Sequence, residues 1–200
     1  AGRVSNFDVP LGGGVSGTYA IEYDNRGLVA KVTPPAGRDQ DAASYVYDAA
    51  GRTMSQTDTT GVHSYTYNAA GLPATVTEPL TGSTETYTYN TKGQATNLEF
   101  ANTHGTTNES FSYDALGRMT KKALTAAGAS TPTYSMAIDQ LDANGNIVRQ
   151  TIGGTNAQGV GQYSYAYDIG GRLASYTAPG AAPIAYSYDD AGNRVQAGPT

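Results

Sequence analysis

Eight Asp or Asn residues recur along a chain of 200 residues, each three positions before a glycine. They are Asp24, Asp48, Asn68, Asn90, Asp114, Asp142, Asp168 and Asp189, followed by Gly27, Gly51, Gly71, Gly93, Gly117, Gly145, Gly171 and Gly192. A ladder of carboxylates suggests oxygen ligands for a hard cation such as calcium. Asp142-Ala143-Asn144-Gly145-Asn146 comes closest, with donors at alternate positions, yet no downstream glutamate follows to bind bidentately. Asn68 and Asn90 fill the same position without a charge. An Asp or Asn opening a turn accepts a hydrogen bond from the backbone N–H two residues on, which explains both residue types. The expected role is a turn cap, and no metal or cofactor site is expected.

The other chemically able residues have similarly plain readings. Arg52, Arg118 and Arg172 directly follow a turn glycine. They could bind anions, but stems lying over tyrosine rings, with the guanidinium on a turn Asp of the same or a neighbouring repeat, suit them better. His63 and His104 stand near Gly61 and Gly105 and are expected in surface loops, outside any nucleophile or metal motif. Asp189-Asp190 would point to opposite sides of an extended chain, a poor acid/base pair. Asn108-Glu109-Ser110 is a formal glycosylation sequon. No catalytic site is read, and the chain is not expected to be an enzyme.

The elements that must position these residues are written in the same phrase. A Tyr-x-Tyr pair precedes most anchors: Tyr45 and Tyr47, Tyr65 and Tyr67, Tyr87 and Tyr89, Phe111 and Tyr113, Tyr165 and Tyr167, Tyr186 and Tyr188. Two copies are degenerate, Ile21-Glu22-Tyr23 before Asp24 and Asp139-Gln140-Leu141 before Asp142. Alternation puts both rings on one face of a strand, with small or polar residues such as Thr66, Thr88 and Ser112 on the other. After each glycine comes a second run of β-formers, for example Leu28 to Thr33 and Arg172 to Thr177, closed by a Pro/Gly break such as Pro79-Leu80-Thr81-Gly82. One repeat is therefore a strand, a tight turn, a strand and a looser turn, which is a β-hairpin.

The turn glycines are 24, 20, 22, 24, 28, 26 and 21 residues apart, a variation that loops must absorb. Longer loops are expected at Asn102 to Asn108, Ala123 to Ser135 and Thr155 to Gln162. A single hairpin is marginal in water, whereas a row of them shares a buried face. The expected fold is all-β, with eight tandem hairpins over residues 18–200 in one continuous antiparallel array. Residues 1–17 carry no anchor and read as a degenerate strand, a cap or a lead-in.

The phrase Tyr-x-Tyr-Asp-x-x-Gly-Arg followed by a strand resembles the YD repeat of the Rhs family, which is similar to the β-shells of insecticidal toxin complexes and of teneurins. The resemblance runs from about Tyr19 to Val195. It implies a long sheet that spirals into a hollow shell, which in Rhs and toxin-complex proteins holds a toxic polypeptide and in teneurins serves adhesion. Family cores are several times longer and tend to end in an Asp-Pro-x-Gly cleavage segment, without a counterpart here. Eight repeats are therefore expected to make a curved sheet or part of a barrel, and the chain reads as an excised or processed stretch. The resemblance implies a secreted or cell-surface, bacterial, structural protein. Its partners would be neighbouring repeats of the same or another copy and an encapsulated toxin.

Two other functions fit the residues: a self-assembling extracellular filament or adhesion module that pairs through open sheet edges, and carbohydrate binding by exposed tyrosines. Composition narrows the field further. With 17 acidic and 12 basic residues, a net charge of −5 and no basic cluster, nucleic acid is not an expected partner. Cysteine is absent, and no apolar run approaches a membrane helix.

Overall fold

A computed structural model describes residues 3–12 and 15–199. Ala1, Gly2, Gly13 and Gly14 of the N-terminal segment, and Thr200, lie outside the described residues. The protein is all-β: the described residues form seventeen strands and a single short 3-10 turn at Asp39–Asp41. The described pairings are antiparallel and join strands consecutive in the chain, as expected of tandem hairpins.

The chain divides into two compact units. The first comprises Ala1–Tyr87 and Phe100–Thr103. Its strands run β1 (Asn6–Gly12), β2 (Val15–Tyr23), β3 (Val29–Thr33), β4 (Ala43–Tyr47), β5 (Thr53–Asp58), β6 (Gly61–Tyr67), β7 (Pro73–Thr77) and β8 (Thr84–Tyr89) up to Tyr87. The second comprises Thr88–Glu99 and His104–Thr200. It holds most of β9 (Ala95–Asn102), then β10 (Gly105–Tyr113), β11 (Met119–Thr125), β12 (Tyr134–Leu141), β13 (Ile147–Gly153), β14 (Gly161–Tyr167), β15 (Leu173–Thr177), β16 (Ile184–Tyr188) and β17 (Arg194–Pro199). In each unit the strands form an antiparallel meander. Residues 6–12 of the anchorless N-terminal segment are a strand, with Phe7 opposite Tyr19 and the two rings stacked at 5.0 Å.

Alternation sets the two faces. On β6 and β14, Tyr65, Tyr67, Tyr163, Tyr165 and Tyr167 are half-buried, while Thr66, Ser64, Ser164 and Ala166 between them are exposed. Val46, Thr88, Ser112 and Ser187 are likewise exposed. Neither unit encloses a core: apart from glycine, Ala123 and Ser83 are the only buried residues among the described ones. The chain exposes 12270 Å², against about 8,900 Å² for a globular protein of its mass.

Two expected loops are shorter than the sequence suggested. The β11–β12 connection is residues 126–133, because Ala123 to Thr125 continue the strand, and the β13–β14 connection is residues 154–160. Between β9 and β10 only Thr103 and His104 remain as a turn. The polar run around Asn102 to Asn108 lengthens its two strands instead, since Thr and Asn on a half-exposed face cost a strand little.

Candidate functional site

The eight phrases build one structural device. In each tight turn the glycine N–H donates to the Asx carbonyl at 2.9–3.1 Å, and the Asx N–H donates to the carbonyl one residue beyond the glycine. Every one of these glycines has a φ between +77° and +86°, and none of the residues flanking them has a positive φ. A chain at that φ needs glycine, since a Cβ would meet the following carbonyl.

The Asx side chain closes the same turn. Asp48 Oδ1 accepts the N–H of Ala50 and of Arg52, each at 2.9 Å. Asp24, Asn68, Asn90, Asp142 and Asp168 accept the equivalent pair, and Asp114 and Asp189 accept the N–H beyond the glycine. The second oxygen is also engaged: by Arg52, Arg118 and Arg172 Nε at 2.7 Å, by Arg26, and by the amides of Asn146 and Asn193. At Asp142, the best calcium candidate by sequence, both oxygens thus face inward to the turn. The backbone N–H of Arg52 beside Asp48, followed by its guanidinium, holds that carboxyl below the usual range; the Asn146 amide does the same for Asp142.

Just beyond the turns whose registers are described, the ladder slips by one residue. Tyr47 faces Thr53 but Val46 faces Ser55, leaving Met54 as the extra residue of a β-bulge. The same slip follows the turns of β2–β3, β6–β7, β10–β11, β14–β15 and β16–β17. The carbonyl at the start of the bulge, two residues after the glycine, takes a hydroxyl from the next hairpin. Tyr47 donates to Val29 O, Tyr67 to Thr53 O, Tyr113 to Ala95 O, Tyr167 to Ile147 O and Tyr188 to Leu173 O, at 2.7 to 2.9 Å. Tyr23 reaches Val4 O at 2.6 Å. Burial pushes the Tyr47 and Tyr167 phenols up, which favours the protonated, donating form.

The arginines add a second tie. While paired to its own turn Asp, Arg52 lies over the Tyr67 ring at 4.5 Å and Arg172 over Tyr188 at 4.6 Å. Arg26 donates to Asp48 O, Lys92 to Ala115 O and Gln94 to Gly117 O, so side chains beside one tight turn reach the backbone of the next. The sequence reading missed Arg26, Lys92 and Gln94; their position within one residue of a turn glycine was the available signal. The first aromatic of each pair has other contacts: Tyr45 stacks on Tyr47, Tyr165 meets Tyr176 at a tilt with centroids 5.6 Å apart, and Phe111 lies under Lys122. Tyr65 and Tyr186 stand in the central parts of β6 and β16, opposite Val76 and Ala197, and Tyr87 donates to Glu85 at 2.5 Å. Tyr89 ends β8.

His63 is a correction. It lies in β6 on the tyrosine face, where its Nε2 meets Asp58 Oδ2 at 3.2 Å and Thr60 Oγ1 at 3.1 Å. A cross-strand partner on β5 drew a residue next to a glycine into the ladder, opposite Gln56. Asp, His and a hydroxyl meet here, yet both partners share one ring nitrogen, whereas a nucleophilic triad needs the carboxylate on the other. The group clips the β5–β6 hairpin. His104 lies in the β9–β10 turn, and Asn108 of the sequon lies within β10. No group of three or more metal-ligating side chains exists among the described residues.

Residues 47–83 match the family model described as RHS Repeat. No curated protein matches the sequence at a significant level. Among solved structures the chain is similar to TcdB2-TccC3, with 14% identity and a TM-score of 0.64 over 92% of this chain and 10% of that one. It is also similar to the Photorhabdus luminescens Tc holotoxin pore, with 14% identity and a TM-score of 0.51 over 92% of this chain and 11% of that one. The chain spans about a tenth of the length of these neighbours, and at such identity the likeness is one of fold.

Proposed function

We propose, for a chain whose residues 47–83 belong to the RHS repeat family, that its hairpins are a stretch of wall in a shell that encloses a toxin polypeptide. The observation that carries this reading is the burial pattern. Among the described residues Ala123 and Ser83 alone are buried, apart from glycine, although every tight turn is capped. Such a structure is held together along its length, by ties between successive hairpins, with no side-chain core beneath. That is what a wall requires and what an enzyme pocket does not. The motif residues then serve architecture: tyrosines join hairpins, Asx and glycine make the turns, and arginines bridge both. The same reading makes the array a single run of eight repeats from a secreted bacterial protein, with its neighbours in the wall and an enclosed polypeptide as partners. Among the described residues no helix is long and apolar enough to cross a membrane.

A second reading rests on one observation. Arg194 to Ala197 of β17 are all exposed, Val195 at 62%, and a strand so uncovered is one on which copies of the chain would add. Imaging by negative stain separates the two, with protease digestion of the protein purified from its source cells. Closed particles that retain a protease-protected polypeptide are expected. Filaments, or particles with nothing protected inside, would overturn the shell in favour of assembly through edges.

A further inference from the structure

One hairpin lacks the residue that makes the hydroxyl tie to the hairpin before it. The tyrosine that ends the first strand of each hairpin is replaced, before Asp142, by Leu141. Leucine has no hydroxyl, so the carbonyl of Met119, two residues after Gly117, receives no bond of the kind that Thr53 O and Ile147 O receive from Tyr67 and Tyr167. The second tie is lost with the first. Arg118 keeps its pair with Asp114 at 2.7 Å, but the ring on which Arg52 and Arg172 stack is missing from the next hairpin.

The same hairpin is irregular in its ladder. Between β12 and β13 the register slips twice, once at Gln140/Leu141 as in the other hairpins and again between Ile138 and Gln140. The second slip puts Asp139 outside the ladder, where it takes the Thr151 hydroxyl at 2.7 Å. Here too the turn glycines are farthest apart, 28 residues from Gly117 to Gly145.

We infer that the turn ends of the hairpins of Gly117 and Gly145 part more readily than those tied by a tyrosine hydroxyl: a built-in seam at which the turns separate although the β11–β12 ladder between them keeps four paired residues. Local opening follows the least-supported contacts: this junction lacks the hydroxyl tie that Tyr113 and Tyr167 give the junctions on either side, and Arg118 finds no ring of the kind on which Arg52 and Arg172 stack. The inference is independent of whether the array encloses anything.

Hydrogen exchange on the intact chain tests it. Amides of β12 and β13 near Leu141 should exchange roughly tenfold faster than the equivalent amides near Tyr67 and Tyr167, the factor expected when about one net hydrogen bond is missing. Leu141→Tyr should slow them by a similar factor and raise the melting temperature, and Leu141→Phe, which restores only the ring, should do so less. Equal protection at the three hairpins in the unaltered chain would overturn the inference, whether or not Leu141→Tyr folds. So would a Leu141→Tyr chain that folds with unchanged exchange.

Discussion

At Asp48 the two carboxylate oxygens do different work: Oδ1 holds the turn backbone and Oδ2 holds Arg52. Asn68 performs the first task without a charge, so Asp48→Asn separates the two. The Asp48 carboxyl lies below its ordinary value. A carboxyl lowered by folding stabilises the protein above its unfolded value of about 3.9, and this contribution is lost as pH falls through the lowered value. Thermal unfolding followed from pH 7 down to pH 2 should therefore show a shallower acid decline in Asp48→Asn. An unchanged decline would show that the Asp48 charge contributes nothing to stability. Tyr67→Phe removes the hydroxyl on Thr53 O while leaving a ring under Arg52. It should cost about 0.5–1.5 kcal/mol in urea unfolding, and a neutral result would remove the hydroxyl from the ties between hairpins.

At the scale of the hairpin, turn and bulge act together. The glycine at positive φ ends the turn, and the slip that follows turns the second strand so that its carbonyl meets the next tyrosine. Gly117 shows the cost of altering it. Its φ is +85°, and a Cβ there would stand 3.2 Å from Gln94 Nε2, which donates to Gly117 O. Gly117→Val should cost at least about 1–2 kcal/mol from backbone strain alone, read as a lower melting temperature, with the hairpin of β10 and β11 losing exchange protection first. Wild-type stability in that variant would contradict the need for glycine.

At the scale of the molecule, stability is a sum of hairpins and the ties between them, because no shared core makes the chain melt as one. Calorimetry should give a measured unfolding enthalpy clearly larger than the van't Hoff value, the sign of partly independent units. A ratio of one would mean that cooperativity spreads through the whole array despite the seam at Leu141.

Much of this was legible in the residues. The period, the Asx caps, the turn glycines and the all-β class follow from local chemistry: a short polar side chain bonding its own turn, a glycine free to take positive φ, and tyrosines alternating along a strand. His63 and the stretch from Asn102 to Asn108 misled because adjacency to glycine suggested a loop, while cross-strand pairing set the outcome. The acceptor of each tyrosine hydroxyl was not legible at all. Tyr47 and Val29 lie 18 residues apart, and only the bulge after the turn brings that carbonyl to the hydroxyl. The sequence by itself determined what one hairpin is, because those interactions lie within a few residues. Only the tertiary structure decided how one hairpin holds the next, because that depends on register, which slips where two residues face one.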